Sequence, residues 1–310
     1  MSKQQRDAVD RMLRDAPFDL GGDPSVQRPL LDAMLTAVPL PADVLVSEGE
    51  LGGVPVVFVD VAGTEPRGVI LHVHGGGFAL GSARGSAGLV SMLARRSGMR
   101  AVAVDYRLAP EHPFPAALDD VTAVYQALAE ELGGTGAIVV TGESAGGNLA
   151  VELLIRGLRS GLTMPAAAAV FSPMTDLTAS GDSFRANAER DPNITLAAIR
   201  TRAVDYLVGT GTAADDPLVS PVFADLTGLP PLLIQAGSHE VLLDDATALA
   251  TRAAAHDVAV TLDVTPGVPH VFQAFAVMLE EGDAALDRAA GFVRAHAPVA
   301  TPCQASASAA

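Results

Sequence analysis

The chain has 310 residues, 49% of them apolar and 4% aromatic, and its 36 acidic side chains against 20 basic ones give a formal charge of −16. A chain of this length can bury ~75% of the surface its unfolded form exposes, so it needs no disulfide or metal to hold a core. Its single cysteine is Cys303. The acidic balance excludes nucleic acid as a partner, because phosphate contacts need a basic surface, and it favours neutral over anionic substrates.

In chain order, residues 1–45 read as a helical segment: Val9, Met12 and Leu13, then Leu30, Leu31, Met34 and Leu35, recur at helical spacing. The opening stretch is charged and lacks the apolar core of a secretion signal, and no apolar run reaches the ~18 residues of a membrane span. The expected location is therefore cytoplasmic. Asp7, Asp10 and Asp15 argue against a membrane-surface helix, whose polar face would be basic. Strand-like runs follow at Val54–Val61, Val69–Val73, 101–104, 137–140, Ala167–Phe171, 232–235 and 260–264, with helical patterns at 86–96, Ala116–Glu131, 148–159 and 246–255. Strands alternating with helices predict a mostly parallel sheet covered on both faces.

Residues 175–215 break that rhythm with a polar loop and a helix over 195–208, which suits a cap insertion in a catalytic domain spanning 46–298. Residues 1–45 would complete the cap. The last helix, 283–297, and the final strand offer an edge that could support a homodimer. The low-complexity tail, 299–310, reads as disordered.

Two motifs carry the chemistry. Residues 142–146 read Gly-Glu-Ser-Ala-Gly between a strand-like and a helix-like run. A strand turning sharply into a helix exposes a serine hydroxyl at the sheet edge, and the flanking glycines avoid collision with the neighbouring strand or helix. Residues 74–77, His-Gly-Gly-Gly, follow an earlier strand, where a loop of free backbone N–H groups can meet a developing oxyanion. Together they make Ser144 a nucleophile that needs a base. His270, on the loop after the strand at 260–264, is the base that fits the order serine, acid, histidine. His256 and His296 lie in helical stretches, and His112 in a proline-rich turn. Glu240, on the loop after the strand at 232–235, stands where the carboxylate that orients the histidine should lie; Asp244 and Asp245, a helical turn later, are its rivals and also read as a solvated helix start.

HGGGFALGS (74–82), DYRLAPEHPFPAAL (105–118), GESAGGNLA (142–150), DPLVSP (216–221) and PHVF (269–272) occur in that order. Over residues 54–297 the chain thereby resembles the hormone-sensitive-lipase branch of the α/β-hydrolases, the bacterial carboxylesterases of that group. The resemblance implies an eight-stranded, mostly parallel α/β sheet with a helical cap. It also implies hydrolysis of short- to medium-chain carboxylic esters, a small-molecule substrate, and no metal or organic cofactor. It assigns Gly76, Gly77 and Ala145 as oxyanion donors. The family usually carries Asp where this chain has Glu240, one methylene longer. His74 should hold the glycine loop in shape, and Phe78 and Leu80 should line or support the pocket. Glu143 reads as a member of a structural ion pair, Asp105 and Arg107 as a pair with each other, and Asp216 and Ser220 as braces for the acid and histidine loops. Two rival readings use the same residues: an acyltransferase or lactonase, and a receptor of this fold without catalysis.

Overall fold

The apolar runs and the amphipathic ones sort into layers as their periodicities require. The computed structural model describes residues 3–297, so the tail read as disordered lies outside the described residues. In chain order the elements are α1 (Lys3–Arg14), α2 (Pro24–Leu35), β1 (Val44–Leu51), β2 (Val54–Val61), β3 (Val69–Val73), α3 (Ala83–Ser97), β4 (Arg100–Val104) and α4 (Ala116–Glu131). They continue as β5 (Ile138–Glu143), α5 (Ala145–Ser160), β6 (Ala167–Phe171), α6 (Ser183–Ala186), α7 (Leu196–Leu207), β7 (Leu232–Gly237), α8 (Leu243–Ala255), β8 (Val260–Thr265) and α9 (Glu280–His296).

The eight strands form one sheet in the order β1-β2-β4-β3-β5-β6-β7-β8. β1 and β2 run antiparallel, and β3 to β8 are mutually parallel. The central strands are buried on both faces, which is why β3 and β6 consist of uninterrupted apolar or small residues apart from His72. On one face, α4, α5 and α8 cover Leu71, Val140 and Ile234; on the other, α3 and α9 cover Ile70, Val139 and Leu233. β1 escapes the sequence reading because its run, VLVSEGEL, is polar and largely exposed at the sheet edge.

Helices also start where local chemistry stops the strand-to-helix transition. α3 begins three residues earlier than its apolar pattern, because the Ser82 hydroxyl accepts from the Gly85 N–H at 3.0 Å. The sheet order reverses around β3, so the ends of β3 and β5 lie side by side, with Val73 opposite Gly142. Crevices at such switch points, outside the carboxyl ends of parallel strands, are where ligands bind in this architecture.

α1 lays Val9 and Leu13 against Val268, Phe272 and Leu279, on the loop that follows β8. α2 runs beside α3, and α7 reaches back to the segment between α1 and α2, where the Arg202 guanidinium donates to the Gly22 carbonyl at 3.1 Å. No helix among the described residues is long and apolar enough to cross a membrane.

Candidate active site

Ser144 stands between the last residue of β5 and the first of α5, in a left-handed backbone conformation (φ +56°, ψ −122°) that non-glycine residues rarely adopt. The turn is held by Ser144 N–H donating to the Phe171 carbonyl at 2.9 Å and by Met174 N–H donating to the Ser144 carbonyl at 3.1 Å. The two glycines of the motif are packing requirements. A β-carbon on Gly146 would lie 2.1 Å from the Val73 carbonyl oxygen on the neighbouring strand, and one on Gly142 2.3 Å from the Gly146 carbonyl oxygen at the helix start. The strain at Ser144 is thus imposed from both sides, and it lifts the hydroxyl into a cavity of about 470 Å³ that His74, Gly75, Gly76 and His270 also line.

Across the sheet edge, β7 and β8 deliver the carboxylate and the imidazole. His270 Nδ1 is 2.7 Å from Glu240 Oε2, and Glu240 Oε1 accepts from the Gly237 N–H at 2.5 Å and the Ser172 hydroxyl at 3.1 Å. Glu240 is completely buried. Burial pushes its carboxyl above the ordinary value, and the hydrogen bond from His270 opposes that rise. For His270, burial pulls the imidazole down, but the hydrogen bond to Glu240 and that carboxylate's charge outweigh it, so its pKa stands above the usual histidine value. With Nδ1 committed to Glu240, Nε2 is the ring nitrogen left to serve the cavity.

The rival acids are engaged elsewhere. Asp244 Oδ2 accepts from the Ser183 N–H at 2.9 Å, and Asp245 Oδ2 accepts from the Thr175 and Asp176 N–H groups at 2.7 and 2.9 Å. Asp245 is therefore not part of a solvated helix start: it is buried, and burial raises its carboxyl well above the ordinary range.

The glycine loop after β3 turns back on itself, with Ala79 and Leu80 N–H groups donating to the Gly76 carbonyl at 3.2 and 2.9 Å. Gly76 (φ +112°) and Gly77 (φ +61°) adopt backbone conformations that disfavour any side chain, and a β-carbon on Gly76 would also lie 2.2 Å from the Leu80 carbonyl oxygen. Gly75 N–H is taken by Glu143 Oε1 at 2.7 Å. Ala145 is the first residue of α5, in the turn whose leading N–H groups have no carbonyl partner within the helix. His74 stacks on Tyr106 at 4.1 Å, its Nδ1 is 2.8 Å from the Gly75 carbonyl, and burial lowers its pKa. Phe78 and Leu80 are fully buried behind the loop, with Phe78 stacked on Tyr206 at 3.9 Å.

Several pairings differ from the sequence expectation. Asp105 does not pair with Arg107: it accepts from the Ala83 N–H at 2.9 Å, while Arg107 binds Asp120 at 2.8 Å. Ser220 and its neighbours brace α5 and the loop after β6, through Asn148 Nδ2 to the Val219 carbonyl and Leu177 N–H to the Ser220 hydroxyl, and leave the acid and histidine loops alone. Glu143 does sit 2.9 Å from His72 Nε2, as an ion pair would, but its other oxygen serves the glycine loop.

Three supporting residues were missed. Ser172, at φ +47°, donates to Glu240 and accepts from the Val271 N–H at 3.0 Å, so one hydroxyl joins the two loops. Asn187 and Asp191 hold the backbone of Glu240 and Val241 at 2.9 Å each. Their only sequence signal is a polar residue just after a strand, or inside the mid-chain insertion, and it names no partner.

The rest of the cavity wall is mainly apolar, with Ser82, Ser86 and Asn193 as its polar members besides Glu143. α1 and α2 contribute Met12, Leu13, Leu31, Met34 and Leu35, the insertion contributes Ile194, and the turn after His270 contributes Phe275, Val277 and Met278. Among the described residues no cluster of three or more His, Cys, Asp or Glu side chains could hold a metal. A strained serine at a strand-to-helix turn, beside a glycine loop and opposite a carboxylate-bound histidine, defines the α/β-hydrolase class of site.

Comparison with known proteins gives the same result. Residues 70–274 match the model of a family described by its alpha/beta hydrolase fold. An esterase of Acinetobacter venetianus is 36% identical over 276 residues, covering 89% of this chain and 90% of its own. An acetyl-hydrolase of Streptomyces hygroscopicus is 41% identical over 225 residues, covering 73% of this chain and 75% of its own. A crystal structure of an esterase from the bacterial hormone-sensitive lipase family superposes with a TM-score of 0.92 at 38% identity, covering 96% of this chain and all of that one. The chain belongs to the α/β-hydrolase family, in the group of bacterial hormone-sensitive-lipase esterases.

Proposed function

We propose that Ser144, His270 and Glu240 form the catalytic triad of this chain, with Gly76, Gly77 and Ala145 N–H groups as the oxyanion hole. Family membership and the esterase and acetyl-hydrolase relatives make the chain a serine carboxylesterase. The observation that carries the assignment of residues is the 2.7 Å contact between His270 and Glu240, opening on the same cavity as the strained Ser144.

In this reading His270 Nε2 takes the Ser144 proton as Oγ attacks the ester carbonyl carbon. The carbonyl oxygen becomes an oxyanion facing the three N–H groups. Collapse of the tetrahedral intermediate breaks the ester C–O bond, and the imidazolium returns the proton to the leaving alcohol. Water, deprotonated by His270, then cleaves the acyl-enzyme and regenerates the Ser144 hydroxyl. Glu240 fixes the histidine tautomer and stabilises the imidazolium. Donors held in place before reaction need no reorganisation as charge develops, and each is worth about 3–4 kcal/mol.

The substrate is a neutral ester with a short- to medium-chain acyl group. Among the described residues Glu143 is the one acidic side chain lining the cavity, and the other walls are mainly aliphatic. A volume of about 470 Å³ suits a small organic ligand. The N-terminal helices and residues 175–215 act as the cap of a catalytic domain spanning 46–298. Hydrolysis of p-nitrophenyl butanoate by the wild type beside Ser144→Ala is the deciding experiment. Turnover in the wild type and its loss in the variant, by 10⁴-fold or more on the order of triad knock-outs, is the expected result. Activity that survives the substitution refutes the nucleophile.

A further inference from the structure

The glycine loop is anchored on its outer side by the N-terminal helix α2. Arg28 on α2 donates from Nε to the Ala79 carbonyl at 2.8 Å and from Nη2 to the Ala109 carbonyl at 3.0 Å. Ala109 N–H in turn donates to the Phe78 carbonyl at 3.0 Å. One turn further along α2, Asp32 accepts from the Ser82 hydroxyl at 3.0 Å. A single helix therefore fastens the chain at 79 and again at 82, directly after the two glycines, while Leu31, Met34 and Leu35 of the same helix line the cavity.

We propose that Arg28 is a positioning residue for ester cleavage: by holding the Ala79 carbonyl it fixes the turn that aims the Gly76 and Gly77 N–H groups at the oxyanion. The inference rests on the esterase reading above and adds a function to the N-terminal segment beyond covering the pocket. The physical reason is the tightness of the turn. Ala79 and Leu80 N–H groups both close onto the Gly76 carbonyl, so a shift of the Ala79 peptide rotates the Gly76–Gly77 peptides with it. Gly77 itself has no slack on its other side, where a β-carbon would lie 2.4 Å from the Arg202 side chain of α7. Oxyanion donors act only in the transition state, so misaiming them lowers kcat and leaves ground-state binding unchanged. Arg28 is also paired with the half-exposed Glu111 at 2.6 Å, a contact that does not touch the loop and so provides the control.

The test measures kcat and KM for p-nitrophenyl butanoate, and inhibition by an alkylboronic acid, whose tetrahedral adduct with a serine places an oxygen in the oxyanion position. It uses the full chain as wild type, Arg28→Met, Arg28→Lys and Glu111→Gln, each with a melting curve. Arg28→Met keeps the aliphatic stem and removes the donors. It is expected to lower kcat about 10- to 100-fold with KM within about twofold, and to weaken the boronate in parallel. Arg28→Lys should recover part of the loss through one remaining donor, and Glu111→Gln should stay within about twofold of the wild type.

A raised KM at unchanged kcat in Arg28→Met would make Arg28 only a support of the pocket wall and overturn the proposal. So would an unchanged enzyme, or a loss in Glu111→Gln as large as in Arg28→Met. If Arg28→Met melts below the assay temperature, the same kcat-against-KM split in Arg28→Lys decides. A wild type without esterase activity would instead overturn the esterase reading, and this proposal with it.

Discussion

Among the described residues two glutamates lie completely buried, Glu240 on the loop after β7 and Glu152 in the middle of α5, and their surroundings give them different chemistry. Glu240 faces three donors: the Gly237 N–H, the Ser172 hydroxyl and the imidazole of His270. Glu152 has one, the Tyr206 hydroxyl at 2.9 Å, and its other oxygen has no partner. Burial pushes Glu152 up to about 8, only partly offset by Tyr206, so at neutral pH it is mostly protonated. Burial raises Glu240 as well, but there a basic partner and a backbone N–H favour the charged form. Burial alone makes a neutral acid, while burial with aimed donors makes a carboxylate able to hold an imidazolium.

The largest effect expected from breaking this contrast is at Glu240. Glu240→Gln keeps the shape and removes the charge, and should lower kcat/KM by about 10³- to 10⁴-fold, the scale of orienting-acid substitutions in triads. Asp244→Asn should fall within tenfold of the wild type, because Asp244 serves Ser183 and not His270. The opposite ranking in steady-state assays would move the acid.

A smaller effect sharpens the same point through pH. In the proposed triad His270 must be neutral to accept the serine proton, and its pKa is raised, so kcat/KM should fall on the acid side with a midpoint above the ordinary histidine value of about 6.5. In the residual activity of Glu240→Gln that midpoint should move to lower pH, since the charge that raised it is gone. A limb that stays in place would show that another group titrates.

The smallest effect concerns stability. An acid whose folded-state pKa lies above its unfolded value binds the proton more tightly when folded. Glu152 therefore contributes most to stability below about pH 4.5, and that contribution is lost as pH rises towards about 8. Glu152→Gln should raise the unfolding free energy by about 1–3 kcal/mol at pH 8 and by much less at pH 5. Urea denaturation at the two pH values reads the difference, and an equal change at both would mean packing is responsible.

Local patterning carried a large part of this protein. The alternation of apolar strands and amphipathic helices, and the Gly-Glu-Ser-Ala-Gly turn, depend on neighbours within a few residues, so Ser144 and the positions of β3, β5, α4 and α5 were legible in the chain. β1 was not, because an exposed edge strand needs no apolar run. Glu240, Asp244 and Asp245 are three carboxylates within six residues, and the place of Glu240 after a strand favours it without excluding Asp244.

The tertiary structure separates them by the backbone N–H groups that the chain after β6 brings to two of the carboxylates, Thr175 and Asp176 to Asp245 and Ser183 to Asp244. Ser172 and Arg28 belong to the same category. Each meets its partner across more than fifty residues of chain, Ser172 at Glu240 and Val271, Arg28 at Ala79 and Ala109. The sequence by itself determined the strand-to-helix turn, the serine that stands in it and the class of chemistry, because short-range sterics dictate the turn. Which acid meets the histidine, and which helix holds the glycine loop, was decided by long-range packing, because a hydrogen bond between distant segments exists only once the sheet has brought them together.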